Sequence, residues 1–268
     1  MILEFKNVYK KNLIDETNLK VFDKDMIEIL SDDLDAVSSI LKHIIGFKKV
    51  TSGKIFLFNH DQTIDLTLAK RSIGYTEGLK YKGNTTVINY LLNTASFFNG
   101  SYLGNINSML ERFNIDPNKK LKLLSPDEKL NLSIINILFY EPKLIILNNI
   151  LDKCNTDSLN IIIDILNDFK LRGSAIISSS SKSYLNSFIY VYKDNMLTRN
   201  IDIEQYNMVQ IKGTNYIPKD FSNAIRFKLN EDSIEAIFKS DEASIRKKLE
   251  KKYDIISIDK PSVGDLNE

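Results

Sequence analysis

Residues Met26–Phe47 read MIEILSDDLDAVSSILKHIIGF, and the rest of the chain is organised around this stretch. Its first five residues are a mostly apolar run of strand length, and a polar patch follows. Apolar residues then recur at helical spacing, at Ala36, Val37, Ile40, Leu41, Ile44 and Ile45. Gly46 comes next and suits the end of a helix. The stretch therefore predicts a strand, a turn and a helix in succession.

The turn has the spacing of a phosphate-binding loop but lacks most of its chemistry. The loop pattern G-x-x-x-x-G-K-[ST] would occupy Ser31, Asp32, Asp33, Leu34, Asp35, Ala36, Val37 and Ser38, followed by Ser39. Ser31 and Ala36 replace the glycines that allow close backbone approach, and Val37 replaces the lysine. Within this pattern Ser38 keeps the expected side chain.

Three carboxylates, those of Asp32, Asp33 and Asp35, stand where a polyanion would bind. Like charges about 5 Å apart repel by roughly 3 kcal/mol at an effective dielectric constant of 20. A helix N-terminus attracts an anion by only about 0.3–1 kcal/mol at an exposed site, so the repulsion dominates. Two interpretations stay open: Asp33 or Asp35 caps the helix, or the loop keeps some nucleotide binding.

Composition excludes several classes of function. The chain has 268 residues with 36 Lys and Arg against 35 Asp and Glu, so we expect no nucleic-acid partner. Cys154 is the single cysteine, and His43 and His60 are the only histidines, so we expect no disulfide and no metal site. The sequence has no apolar run of about 18 residues and no signal-peptide pattern, which predicts a cytosolic chain without a membrane span.

The remaining sequence alternates strand and helix patterns. From Thr85 to Lys122 the sequence pattern is helical, and we expect Phe97, Phe98 and Tyr102 to be core residues there. Any of them that is exposed would instead suit a docking face for another protein. Ser125, Pro126 and Glu128 form a capping box with proline at the first helical position. The runs KLIILNN and SAIISSSS predict buried parallel strands on either side of an amphipathic helix. These alternating units predict an α/β fold with a mostly parallel sheet and flanking helices.

Taken together, residues 2 to about 200 resemble the nucleotide-binding subunit of an ABC transporter. The β-rich start, TSGKIFLFNHD, IGYTEG, LLSPDE, YEPKLIILNN and IISSSS come in the family's order. The resemblance implies an ABC ATPase domain of the P-loop NTPase type at residues 1–202, with an N-terminal antiparallel β subdomain and a helical subdomain at about 79–140. A small α+β appendage would follow at 203–268. The ending DKPSVGDLNE is similar to that of drug-efflux and lantibiotic-immunity exporters.

The same resemblance marks which site positions depart from the family. Asn148 and Asn149 stand at the Walker B aspartate and the catalytic glutamate, and Ser180 stands at the switch histidine. The signature-like segment is Ser125, Pro126, Asp127 and Glu128, of which Ser125 matches the family. Glu77 or Gly78 replaces the Q-loop glutamine, and the D-loop reads Cys154, Asn155 and Thr156. An asparagine cannot act as a base at neutral pH.

We therefore predict an ABC-ATPase-like subunit or regulator of a membrane exporter that works through protein contacts and not through catalysis. Its partners would be a transmembrane exporter subunit, an ABC ATPase chain, or both, at the inner face of the cell membrane. No cofactor is expected. The alternatives are a divergent ATPase that still uses ATP and Mg²⁺, and a free-standing cytosolic scaffold or sensor.

Overall fold

The computed structural model describes residues 1–61, 71–79, 83–98, 102–200, 205–213 and 217–261. Its strands are β1 (Leu3–Lys10), β2 (Ile14–Val21), β3 (Met26–Leu30), β4 (Ser52–Leu57), β5 (His60–Asp61), β6 (Ile73–Thr76), β7 (Leu144–Asn148), β8 (Ala175–Ser180), β9 (Phe188–Lys193), β10 (Met196–Asn200), β11 (Asn207–Lys212), β12 (Arg226–Leu229), β13 (Ser233–Phe238) and β14 (Ile255–Asp259). Its α-helices are α1 (Leu34–Ile44), α2 (Val87–Ala95), α3 (Leu103–Arg112), α4 (Pro126–Leu138), α5 (Thr156–Leu171) and α6 (Glu242–Leu249).

A six-stranded sheet in the order β10-β9-β3-β8-β7-β6 forms the centre of the molecule. β3 pairs in parallel with β8 on one side and β9 on the other, and β7 pairs in parallel with β8 and β6. Every residue of β7 and β8 is buried, as expected of parallel strands covered on both faces. The predicted α/β class with a mostly parallel sheet is confirmed.

The central strand β3 carries a buried carboxylate in its apolar run. Glu28 is fully buried and accepts hydrogen bonds from Ser183 Oγ (2.8 Å), the Tyr184 backbone N–H (2.8 Å) and Ser187 Oγ (2.9 Å). These three donors satisfy the charge and attach the loop between β8 and β9 to the middle of the sheet.

An antiparallel sheet in the order β2-β1-β4-β5 combines strands from before and after β3. β1 is one of its two inner strands, and Leu3 on it lies opposite Val21 of β2 and Leu57 of β4. The three side chains are buried in one core with apolar residues of the central sheet and α1. The predicted N-terminal antiparallel subdomain is therefore present.

A third sheet, wholly antiparallel, has the order β12-β13-β11-β14 and packs with α6 over a core of its own. This is the predicted C-terminal α+β appendage. The sequence pattern predicts strands at Ala224–Leu229, Ser233–Phe238 and Asp254–Asp259 but not β11, which forms two of the three pairings in the sheet. The predicted domain boundary at 202/203 and most of the DKPSVGDLNE ending lie outside the described residues.

In the helical segment, the expectation that three aromatic residues are core residues is wrong for one of them. Phe97 is 74% exposed. Phe98 packs against the hydrophobic core that helices α2 to α5 share with β7 and β8. Its ring also stacks on that of Tyr140, with 4.0 Å between the ring centroids. Tyr102 packs edge-on to Phe139. Phe97 faces outward because the chain leaves helical geometry after α2, which shifts the spacing that placed it in the core.

Within the part of the chain that is described, no helix is long and apolar enough to cross a membrane.

Candidate functional site

The candidate site is the junction between β3 and α1. Only Ser31, Asp32 and Asp33 lie between the strand and the helix, because Leu34–Ser39 are helical. The motif positions Ser31–Ser39 therefore comprise a three-residue turn and the start of α1, which begins two residues before the apolar helical pattern. Asp33 is the N-cap of α1, and its Oδ1 accepts a hydrogen bond from the Ala36 N–H at 2.9 Å. The cap satisfies one of the N–H groups that the first turn of a helix leaves unbonded.

Four backbone N–H groups of this junction have acceptors within the protein. The Ser31 N–H donates to the Ser180 carbonyl at 3.3 Å, and the Asp33 N–H donates to Ser31 Oγ at 3.0 Å. The Ala36 N–H donates to Asp33 Oδ1, and the Val37 N–H donates to the Asp33 carbonyl at 3.2 Å. A phosphate-binding loop needs such N–H groups to point at the ligand. Here these four groups are bonded within the protein.

Val37, at the position of the phosphate-binding lysine, is fully buried. It belongs to the hydrophobic core that the central sheet shares with α1 and the antiparallel sheet. Ser38, the next residue, accepts a hydrogen bond on Oγ from Asn148 Nδ2 at 2.8 Å. Position 37 therefore contributes packing, and position 38 has a protein partner where the family's serine would hold Mg²⁺.

Asn148, at the end of β7, is the centre of a polar network. Its amide nitrogen donates to Ser38 Oγ and, at 2.9 Å, to Tyr75 Oη. Its carbonyl oxygen accepts from Ser179 Oγ at 3.3 Å, and Ser179 Oγ in turn accepts from the Asn149 backbone N–H at 2.9 Å. Both N–H donors and the carbonyl oxygen of this buried amide thus have partners in neighbouring strands and α1.

The network continues from Tyr75 to an ion pair. Tyr75 Oη donates to Glu77 Oε2 at 3.2 Å, and Lys42 Nζ lies 2.9 Å from the same oxygen. Burial raises the pKa of Tyr75 to about 12, so the phenol stays protonated and acts as a donor. The polar groups at this edge of the sheet therefore satisfy one another, and an asparagine occupies the place of the metal-binding carboxylate.

The other two positions that the resemblance predicted each have a buried side-chain oxygen. Asn149 has a left-handed backbone (φ 50°), and its Oδ1 is buried without a hydrogen-bond partner. Ser180 ends β8 with its side chain completely buried, and its Oγ likewise has no partner in the structure. Neither side chain faces the open groove of about 610 Å³ beside the loop, which Asp32, Asp33 and Asp194 line.

The signature-like segment is the start of α4 and forms a complete capping box. Ser125 Oγ accepts from the Glu128 N–H at 3.1 Å, and Glu128 Oε2 accepts from the Ser125 N–H at 2.7 Å. Lys119 Nζ binds both oxygens of Glu128, at 2.7 and 2.8 Å. Partial burial opposes ionisation of Glu128, but the hydrogen bonds from Lys119 and Ser125 outweigh it and lower the pKa. Pro126 has no N–H, and Asp127 is exposed with its carboxylate bound by Asn155.

ATP with Mg²⁺ does not fit the residues that are present. The junction offers three aspartates, a buried valine and amide groups already bonded, where nucleotide binding needs a free lysine, free N–H groups and a metal-binding carboxylate. Among the described residues, no group of three or more His, Cys, Asp or Glu side chains is placed to hold a metal ion.

Lys42, Tyr75 and Ser179 were not among the predicted site residues. Lys42 lies four residues after Ser38, which places it on the same face of α1, so helical spacing was a usable signal. Tyr75 and Ser179 reach the network through strand pairing between distant parts of the chain. No local pattern in the sequence marks them.

Comparison with known proteins finds ATP-binding proteins of transport systems. No protein-family model matches the chain. Over 201 residues it is 28% identical to the ribose import ATP-binding protein RbsA of Caldanaerobacter subterraneus subsp. tengcongensis. That match covers 68% of this chain and 40% of the relative, so the chain spans less than half the relative's length.

Solved structures of low sequence identity share the fold. An ATP-binding subunit of an ABC transporter superposes with a TM-score of 0.70 at 17% identity, covering 76% of this chain and 91% of that one. The protein cbiO1 from Clostridium perfringens, part of the transporter complex cbiONQ, gives 0.60 at 17% identity over 73% and 86% of the two chains. The dimeric cassette MJ0796, bound to ADP and Pi, gives 0.62 at 16% identity over 73% and 96%.

Proposed function

The chain has the fold of ABC transporter ATP-binding subunits, and from that premise we propose that it is a non-hydrolysing subunit or regulator of a membrane transporter. Following the sequence argument, the transporter is an exporter, and the chain acts at the inner face of the cell membrane. Its function would be to bind other proteins: a transmembrane subunit, an ABC ATPase partner, or both.

One observation supports this proposal above the others: the junction of β3 and α1 has become a capped helix start over a buried Val37. The scaffold is preserved, while the loop position starts a capped helix and the predicted metal position holds an amide that is bonded to Ser38. Removing a single preorganised catalytic group typically costs about 10²–10³ in rate, and several are replaced here. A subunit that only binds other subunits would need this fold but would not need to hydrolyse ATP.

The first test is affinity co-purification of the full chain under conditions that preserve membrane complexes. We expect a transmembrane protein or an ABC ATPase to co-purify. Recovery of soluble partners alone would favour the scaffold or sensor alternative and would contradict the proposal.

The second candidate, a divergent ATPase, draws on the retained Ser38 and Ser125. Titration of the purified chain with Mg-ATP distinguishes it. We expect no saturable binding at millimolar nucleotide, because Ser38 Oγ is bonded to Asn148 and three aspartates surround the loop. Saturable binding would support the divergent ATPase instead.

A further inference from the structure

Two neighbouring turns bring four lysines to one part of the protein surface. Lys10 and Lys11 lie at the turn between β1 and β2, and Lys48 and Lys49 lie between α1 and β4. Lys10 Nζ donates a hydrogen bond to the Lys49 carbonyl at 3.2 Å, which joins the two turns. Phe47 comes directly before the second pair of lysines. We call these five residues the lysine patch.

The lysine patch is not neutralised by carboxylates bound to it. Lys10 and Lys48 donate to neutral oxygens, which are the Lys49 carbonyl and, at 2.9 Å, Ser39 Oγ. Over the ranges that the structure describes, none of the four lysines forms an ion pair. The four ammonium groups therefore keep a formal charge of +4.

Two of these ammonium groups also act on the same buried side chain. Burial has the largest effect on His43 and lowers its pKa, and the charges of Lys10 and Lys48 lower the pKa further. Hydrogen bonds with backbone groups of Ser39 and Lys49 oppose this shift. Lys10 and Lys48 therefore lie close enough for their electrostatic fields to add at one point.

Phe47 adds an exposed aromatic ring to the patch. Gly46, which follows the end of α1, has a left-handed backbone (φ 76°). The Phe47 ring is 69% exposed and makes an edge-on contact with Tyr75, at 6.4 Å between the ring centroids. Glu77, which accepts a hydrogen bond from Tyr75, is paired with Lys42 at 2.9 Å. An apolar ring beside several cations is typical of segments that bind at membrane surfaces.

The second lysine-rich surface, on and after α6, has a different character. Arg246 pairs with Glu242 at 2.8 Å, and Lys252 pairs with Asp220 at 2.9 Å. Residues 242–252 are all described, and no large apolar side chain among them is exposed. Bound carboxylates thus balance part of the charge on this surface, and no exposed aromatic ring accompanies it. The lysine patch differs from it in both respects.

We propose that the lysine patch binds membranes that carry anionic lipids, with the Phe47 ring inserted among the lipid headgroups. An anionic membrane surface attracts each lysine that lies close to it, and salt screens this attraction. Burial of the ring in the interface adds an apolar contribution. This contact needs no transporter subunit, so it goes beyond the proposed function, and its failure would leave that proposal untouched.

An acidic protein is the competing partner for a positively charged surface. Headgroups accept lysines and an aromatic ring without a fixed geometry, whereas a protein partner needs side chains held in place. Among the described residues, no hydrogen bond or ion pair fixes the side chains of Lys11 and Lys49. The observations therefore favour lipid, and the tests use lipid without any other protein.

Co-sedimentation of the full-length chain with lipid vesicles is the first test. The vesicles contain equal parts of phosphatidylglycerol and phosphatidylcholine, and vesicles of phosphatidylcholine alone are the control. We expect binding to the mixed vesicles at low ionic strength, weaker binding as salt is added, and at least tenfold weaker binding to the control vesicles. Equal binding to the two kinds of vesicle, or binding to neither, would overturn the proposal.

A fluorescent reporter tests whether Phe47 enters the membrane. The chain has no tryptophan, so Phe47→Trp introduces a single one. We expect its emission to shift to shorter wavelength when mixed vesicles are added, because the indole leaves water. Phe97→Trp is the matched control, since Phe97 is 74% exposed after α2, and we expect no shift there. A shift in neither variant, or an equal shift in both, would contradict the proposal.

Two double variants with the same change in net charge test the role of the lysines. Lys11→Gln, Lys49→Gln should weaken binding to the mixed vesicles about fivefold per lysine, or roughly 25-fold in all. Lys247→Gln, Lys251→Gln removes two exposed lysines from the surface of α6, and we expect it to bind like the wild type. Equal loss in both variants would show that net charge alone drives binding, and the proposal would be wrong.

Discussion

Restoring the missing lysine tests the interpretation of the candidate site most directly. Val37→Lys places an ammonium group at a side chain that is 0% exposed and lies among apolar residues of the main core. In real proteins, burying one such ion costs several kcal/mol after relaxation. We expect the free energy of unfolding to fall by about 3–5 kcal/mol. Attraction between the ammonium and the carboxylate of Asp33 would make this loss smaller.

Thermal denaturation measures this loss. About 1 kcal/mol shifts the Tm of a chain of this size by roughly 2–4 °C, so Val37→Lys should lower the Tm by about 10 °C. Val37→Met is the matched control, because it has a similar length without charge, and overpacking of this kind costs about 1–3 kcal/mol. The difference between the two variants isolates the effect of the charge.

Nucleotide binding completes the experiment. Val37→Lys should not bind Mg-ATP, because the ammonium would pair with the loop aspartates and the N–H groups of Asp33 and Ala36 stay bonded within the protein. Our account of the site would be refuted by a Val37→Lys protein that is as stable as Val37→Met and binds Mg-ATP saturably.

Three further predictions concern the helix cap, a buried lysine and assembly with a partner. Ser125→Ala removes the acceptor of the Glu128 N–H and should cost about 1 kcal/mol in denaturant unfolding, whereas Ser125→Thr should restore most of it. Lys170 is fully buried, and desolvation lowers its pKa to about 7 from 10.5. The unfolded chain therefore binds more protons between pH 7 and 10, so the free energy of unfolding should rise with pH across this window. Lys170→Met should abolish this slope, whereas the control Lys153→Met, at an exposed position, should keep it. An unchanged slope in Lys170→Met would contradict the assignment. If an ABC ATPase co-purifies, the pair should hydrolyse ATP no faster than the partner alone. The reason is that Pro126 lacks an N–H and Asp127 adds negative charge at the signature-like segment. Strong stimulation of hydrolysis by this chain would show that the segment still completes a site.

Sequence patterns predicted the local part of the structure well. The strand, turn and helix at 26–45 and the capping box at Ser125 depend on neighbouring residues, and the structure has both. The order of the elements was enough to predict the fold. β11 was missed because its alternating run, NMVQIK, is only six residues long.

The polar interior could not be predicted in the same way. Glu28 stands in an apolar strand, and its three donors follow more than 150 residues later. The partners of Asn148 come from α1, β6 and β8. Such contacts depend on which strands become neighbours, and that information is not local to any stretch of the chain. The sequence indicated what is missing from the site but not what replaced it.

The position of β3 has a consequence for the chain during its synthesis. This strand is complete by residue 30, yet both of its neighbours, β8 and β9, lie beyond residue 174. Until the ribosome has released nearly 200 residues, its apolar side chains and both of its hydrogen-bonding edges lack their native partners. The antiparallel sheet can form early from local pairs, whereas the central sheet can close only late. A nascent chain arrested before β9 should therefore need protection from aggregation that the finished chain does not.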